Sequence, residues 1–96
     1  MLFEWDPVKE ATNQAKHGIS FGQATSLFTS GVEFLEIIDE GHGDHEDRFI
    51  AIGPIERGVI MVIFTERQDE VIRILSARKA TKSETRLFQQ HLKGEL

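Results

Sequence analysis

The chain has 96 residues, 40% hydrophobic and 28% charged, a composition that excludes a disordered chain and fits one globular domain, residues 1–96. Eleven Lys and Arg against 16 Asp and Glu give a net charge of −5, without the basic excess of a dedicated nucleic-acid binder. With no cysteine there is no disulfide framework, thiolate metal site or thiol nucleophile. The acidic start and short apolar runs predict neither a signal peptide nor a bilayer-spanning helix, so the expected compartment is the cytoplasm.

In chain order, "LFEW" is a candidate short N-terminal strand. Asp6-Pro7 then reads as the N-cap and first residue of a helix, because proline has a preset φ and lacks only an N–H that would be unpaired there. Val8, Ala11, Thr12 and Ala15 follow at helical spacing, predicting the inward face of a helix over Pro7–His17, and Gly18 suits the left-handed position that ends it. "SFGQ" at 20–23 is a capping box, with Ile19 and Ala24 as its hydrophobic staple and Phe21, Ala24, Leu27 and Phe28 as a buried stripe.

After Gly31 the period changes to that of strands. "VEFLEIID", "RFIAIGPI", "VIMVIFT" and "VIRILSA" are four strands, separated by the loop "EGHGDHED" and the turns "ERG" and "ERQDE". Connections this short predict an antiparallel meander. "TKSE" at 81–84 is a second capping box, opening a C-terminal helix over Ser83–Leu92 with Leu87, Phe88, His91 and Leu92 inward. The expected fold is therefore α+β: two N-terminal helices, a four-strand antiparallel meander and a C-terminal helix.

Strand alternation sets Val59, Met61 and Ile63 on one side and Ile60, Val62 and Phe64 on the other. Both sides are apolar and both want cover. Three helices would cover one face, leaving the second partly open with Arg73 on it. A five-residue turn over 66–70 would set Ile63 opposite Arg73, with Arg67 near that edge and Arg78 and Lys79 ending the strand. Charge follows this division. Residues 1–47 hold ten acids and two lysines, net −8; residues 48–96 hold six acids and nine Lys or Arg, net +3. The C-terminal half thus suits a partner bearing phosphate or carboxylate groups.

"FEWDPVK" at 3–9, "NQAKHGISF" at 13–21, "AIG" at 51–53, "FTER" at 64–67 and "IRILSARKA" at 72–80 occur together and in order. In these elements the chain resembles the BrnT toxins, the ribonuclease halves of bacterial type II toxin–antitoxin pairs. The resemblance implies a RelE/ParE-like fold with helices on one face of a small antiparallel sheet. It also implies RNA cleavage that stops translation, and a cognate BrnA-type antitoxin with a ribbon-helix-helix domain, through which alone operator DNA would be reached. After "SAR" the family commonly continues to Glu-Arg and then Tyr; here Glu84, Thr85 and Phe88 stand in those places. Arg86 carries a guanidinium one residue, about 100°, further round the helix.

Cleaving RNA from its own 2′-OH takes a base, an acid for the leaving 5′-oxygen and cations for the charge growing on phosphate. His17, Arg73 and Arg78 are the catalytic candidates, with Lys16, Arg67, Lys79 and Arg86 as RNA contacts. Each has a plainer alternative. His17 caps a helix C-terminus, Arg73 pairs with Glu4, Glu66 or Asp69, and the lysines are solvated. Glu84 is first a capping residue, and Trp5 is core rather than a platform for a base. His42 and His45 lie among acids in the loop at 39–47, but their spacing matches no zinc pattern, so neither metal nor cofactor is expected. A partly open sheet face predicts a docking antitoxin segment, apolar with carboxylates for Arg73, Arg78 or Arg67. The alternative function is a noncatalytic, toxin-like module that holds the antitoxin and modulates its DNA binding.

Overall fold

A computed structural model of the chain describes residues 1–39 and 47–96; His42 and His45, on which the metal reading turned, lie outside the described residues. The elements are β1 (Leu2–Glu4), α1 (Pro7–His17), α2 (Phe21–Thr29), β2 (Leu35–Asp39), β3 (Arg48–Ile55), β4 (Gly58–Arg67), a 3₁₀ turn (Gln68–Glu70), β5 (Val71–Lys79) and α3 (Lys82–Leu92).

The helix starts follow local chemistry. The Val8 N–H donates to Asp6 Oδ1 at 2.8 Å, and Gly18 takes φ 73° where α1 ends. Both capping boxes close: Ser20 with Gln23 at 3.0 and 2.9 Å, and Thr81 with Glu84 at 3.1 and 2.8 Å.

The sheet has five strands, not four, in the order β1-β5-β4-β3-β2. β2 to β5 form the antiparallel meander, but β1 lies parallel to β5, pairing Leu2 with Val71 and Glu4 with Arg73, so the sheet is mixed. β1 is the short N-terminal strand that "LFEW" suggested, but three residues carry too little pattern to say where the strand pairs. Their place is set by Phe3, which packs on Phe28 at 5.8 Å between ring centroids. The register also departs from expectation. The chain turns through Gln68–Glu70, pairing Arg67 with Val71, so Thr65 rather than Ile63 faces Arg73. Leu75 is an extra residue in β5, and Ile63 meets Ser76 instead.

Helices cover both faces, which departs from the RelE/ParE arrangement of helices gathered on one. α1 and α2 close the first face, where Phe21, Ala24 and Leu27 pack on Ile60, Val62, Phe64, Ile72, Ile74 and Ala77. α3 lies on the second face, with Phe88 over Leu35, Ile52 and Met61. Only Ala80 and Thr81 separate β5 from α3, and the Arg78 side chain on the second face grips Glu84, so the helix starts on that side. Of the residues expected on the inner face of α3, Phe88 is buried and His91 half-buried, while Leu87 and Leu92 are exposed. Gly53, in the "AIG" stretch of β3, admits α2 and the following chain: a Cβ there would lie 2.6 Å from Phe34 Cβ and 2.7 Å from Leu27 Cδ1.

α1 is turned opposite to its apolar spacing. Val8 is 73% exposed, Ala11 and Ala15 are exposed too, and the inward residues are Glu10, Asn13 and His17. The reason lies in the backbone of β5. Asn13 Nδ2 donates to the carbonyls of Ala77 at 2.7 Å and Ile19 at 3.2 Å, and its Oδ1 accepts from the Ala77 N–H at 3.2 Å. One amide side chain thus stands in for a neighbouring strand where β1 has ended. Buried main-chain groups need such partners more than two alanines need burial. Glu10 accepts from the Phe21 N–H at 3.0 Å and joins α1 to the start of α2.

Candidate functional site on the second sheet face

Alternation along the strands puts four arginines on the face that carries α3. Arg48 faces Asp39 across β2 and β3; Arg67 faces Val71; Arg73 faces Thr65 on one side and Glu4 on the other; Arg78 faces Met61. Arg73 Nη1 donates to Glu4 Oε2 at 2.7 Å, with the two side chains 29% and 39% exposed. That is the ion-pair partner its mid-strand position called for. Arg78 makes a two-pronged pair with Glu84, Nη1 to Oε1 and Nη2 to Oε2, both at 2.8 Å.

This pair has electrostatic consequences. The hydrogen bond from Arg78 holds the Glu84 carboxyl below its ordinary pKa, helped by the Thr81 backbone, and the same bond raises Arg78. At neutral pH Glu84 is an anion, serving at once as capping-box residue and guanidinium clamp. At the far end of α3, His91 Nε2 lies 3.0 Å from Glu33 Oε2. The helix is fastened at both ends, with Phe88 between.

Next to the strip that α3 covers lies a cross-strand row of Ile37, Ile50 and Ile63, all incompletely buried. Beyond it stands Thr65, 2% exposed, whose Oγ1 has no hydrogen-bond partner among the described residues, beside the Arg73–Glu4 pair. The second face is thus open only in part, because α3, expected on the first face, covers one end of it; what stays uncovered is an apolar row between the Arg78–Glu84 clamp and the Arg73–Glu4 pair. Arg73 and Arg78 are five residues apart on β5, about 15 Å along a strand, and do not converge on one atom.

The other candidates lie elsewhere. Lys16 and His17, in the last turn of α1, line a shallow groove of about 290 Å³ with Lys9, Thr12 and Ser76, at the edge of β5 beyond β1. Lys79 follows Arg78 and is exposed on the first-face side. Arg86, two residues before Phe88, is about 200° round α3 and exposed to solvent. Sequence reasoning missed Arg48, whose face is set only by the β2–β3 register, and the two partners Glu84 and Glu33. A weak signal for the Arg78–Glu84 pair was present, since the short link between β5 and α3 keeps them close. Among the described residues, no His, Asp and Glu cluster is arranged to hold a metal ion, and no helix is long and apolar enough to cross a membrane.

Fold and face together define a small α+β domain with one sealed sheet face and one guanidinium-bearing face. Residues 5–84 match the family of the ribonuclease toxin BrnT of type II toxin–antitoxin systems, and the chain belongs to this family. The crystal structure of the Brucella abortus ribonuclease toxin BrnT, at 1.1 Å resolution, is similar over 85% of this chain and all of that one, with 28% identity and a TM-score of 0.63. No curated protein matches the chain.

Proposed function

We propose that this chain is an RNA-cleaving toxin that inhibits translation and is neutralised by a cognate BrnA-type, ribbon-helix-helix antitoxin, which alone contacts operator DNA. The observation that carries this reading is the Arg73-to-Arg78 stretch of β5, presented on a half-open face in a chain of the BrnT family. RNA laid over the edge of β5 beyond β1 would meet both arginines on one side and the groove of His17, Lys16 and Ser76 on the other. In the reaction the 2′-oxygen attacks phosphorus and the P–O5′ bond breaks, leaving a 2′,3′-cyclic phosphate and a 5′-hydroxyl. His17 takes the 2′-OH proton, water protonates the departing 5′-oxygen, Arg73 and Arg78 offset charge on separate phosphates along the strand, and Arg67, Lys79 and Arg86 extend the cationic track. Phosphate competes with Glu4 for Arg73 and reaches the donors of Arg78 that Glu84 leaves unused.

A second reading draws on the same pairs. Both arginines already hold carboxylates, and Thr85 and Phe88 stand where the family commonly has Arg and Tyr. A noncatalytic toxin-like module that holds the antitoxin would need no more. Induced expression separates the two. The active toxin arrests growth, and the purified protein cuts single-stranded RNA to cyclic-phosphate ends; a chain that does neither is the binding module.

A further inference from the structure

The two edges of the sheet are finished differently. On the β5 side, β1 pairs with Val71–Arg73 and Asn13 occupies both main-chain groups of Ala77. β2 is the opposite edge, and beyond its ladder with β3 no hydrogen bond reaches Leu35–Ile38 among the described residues. This edge contains no proline, glycine or bulge to interrupt a new ladder. Its two flanks are apolar: Ile37 is 37% exposed on the second face and Ile38 57% exposed on the first.

Charge narrows the choice of occupant. The segment 30–39 holds Glu33, Glu36 and Asp39 and no Lys or Arg. Burial, and then the Glu66 carboxylate, raise the pKa of Glu36, a load that a neighbouring cation would relieve. A second copy of β2 would set two acidic strands side by side, and RNA phosphate would be repelled. We infer that the outer edge of β2 takes a sixth strand from a partner protein, an extended segment of β-branched residues carrying Lys or Arg opposite Glu36. The segment's main chain pairs with β2, its aliphatic side chains cover Ile37 and Ile38, and its cations meet Glu36 and Glu33. The acidic side chains select against other edges. This goes beyond the ribonuclease reading and stands whether or not the chain cuts RNA.

The probe is a synthetic ten-residue peptide of Val, Thr and Ile with three Lys, compared with the same peptide carrying Glu for Lys and with one N-methylated at alternate residues. Binding is followed by anisotropy and by amide hydrogen exchange. The Lys peptide is expected to slow exchange in 35–39 at least tenfold, the N-methylated peptide is expected to lose that protection, and Glu36→Lys is expected to weaken the Lys peptide at least tenfold while admitting the Glu peptide. Three results would overturn the proposal: no protection in 35–39 with the Lys peptide, equal binding of the Lys and Glu peptides by the parent, or a peptide-free dimer that protects β2 by itself.

Discussion

The two faces of the sheet divide the work of the molecule. On the first, eleven buried residues form one cluster under α1 and α2, and Phe28 and Phe64 meet edge to face at 5.0 Å. On the second, among the described residues, three buried residues gather under Phe88 of α3, and the adjoining surface is isoleucine, arginine and a threonine hydroxyl with no partner among them. Apolar area removed from water scales with that difference, so the first face carries the stability. The second face keeps Arg73 and Arg78 in partly exposed ion pairs, which the proposed function has RNA phosphate enter. Substitutions on the first face are therefore expected to unfold the protein, and those on the second to disarm it.

The largest effect is expected at Asn13. Asn13→Ala strips Ala77 of both main-chain partners and Ile19 of one, so chemical denaturation should show a loss of about 3 kcal/mol or more, a large part of a small domain's stability. A loss below about 1 kcal/mol would mean that water seals the edge as well as the amide does. Gly53→Ala follows, at about 1–3 kcal/mol, because Phe34 and Leu27 must move to admit the methyl group.

On the second face, Arg78→Ala is expected to cost about 1–2 kcal/mol and to loosen the start of α3. The pair also sets a pH signature. Glu84 has a lowered pKa in the folded state, so its contribution is present above the ordinary glutamate value and lost as pH falls through the lower folded one. The gap in melting temperature between parent and Arg78→Ala should thus close on acidification below about pH 4; a gap constant down to pH 2 would contradict the clamp. The smallest stability change is expected from Thr65→Val, which replaces a buried hydroxyl, without a partner among the described residues, with a methyl and should hold or raise stability by up to about 1 kcal/mol. If RNA binding falls while stability rises, the hydroxyl serves a ligand beside Arg73; if stability falls, a hidden partner exists.

What could be read from the sequence was what short-range chemistry controls. Asp6-Pro7, "SFGQ" and "TKSE" cap helices through bonds spanning two or three residues, and the strand alternation of 59–65 assigned both faces correctly. What escaped was long-range. Apolar spacing in α1 pointed to Val8, Ala11 and Ala15, yet a polar residue 64 positions from its partner decided how the helix turned. The strand in "LFEW" was legible but its parallel pairing with β5 was not, and the bulge at Leu75 shifts the register by one residue. The site was legible in the same degree. Arg73 stood out as a cation among apolar neighbours, but Glu4 could be singled out from its rivals only by the β1–β5 pairing.

The central claim, that the second face cuts RNA, is tested most directly by the cleavage rate of Arg73→Ala against the parent. Both would act on a 5′-labelled single-stranded RNA, with melting temperatures measured on the same preparations. Arg73 is partly exposed and paired with a partly exposed Glu4, so the variant should melt within about 3 °C of the parent. Its rate should fall at least tenfold, about 1.4 kcal/mol of lost transition-state stabilisation. A folded variant that cuts as fast as the parent would place the chemistry elsewhere, and a parent that cuts nothing would contradict the claim outright.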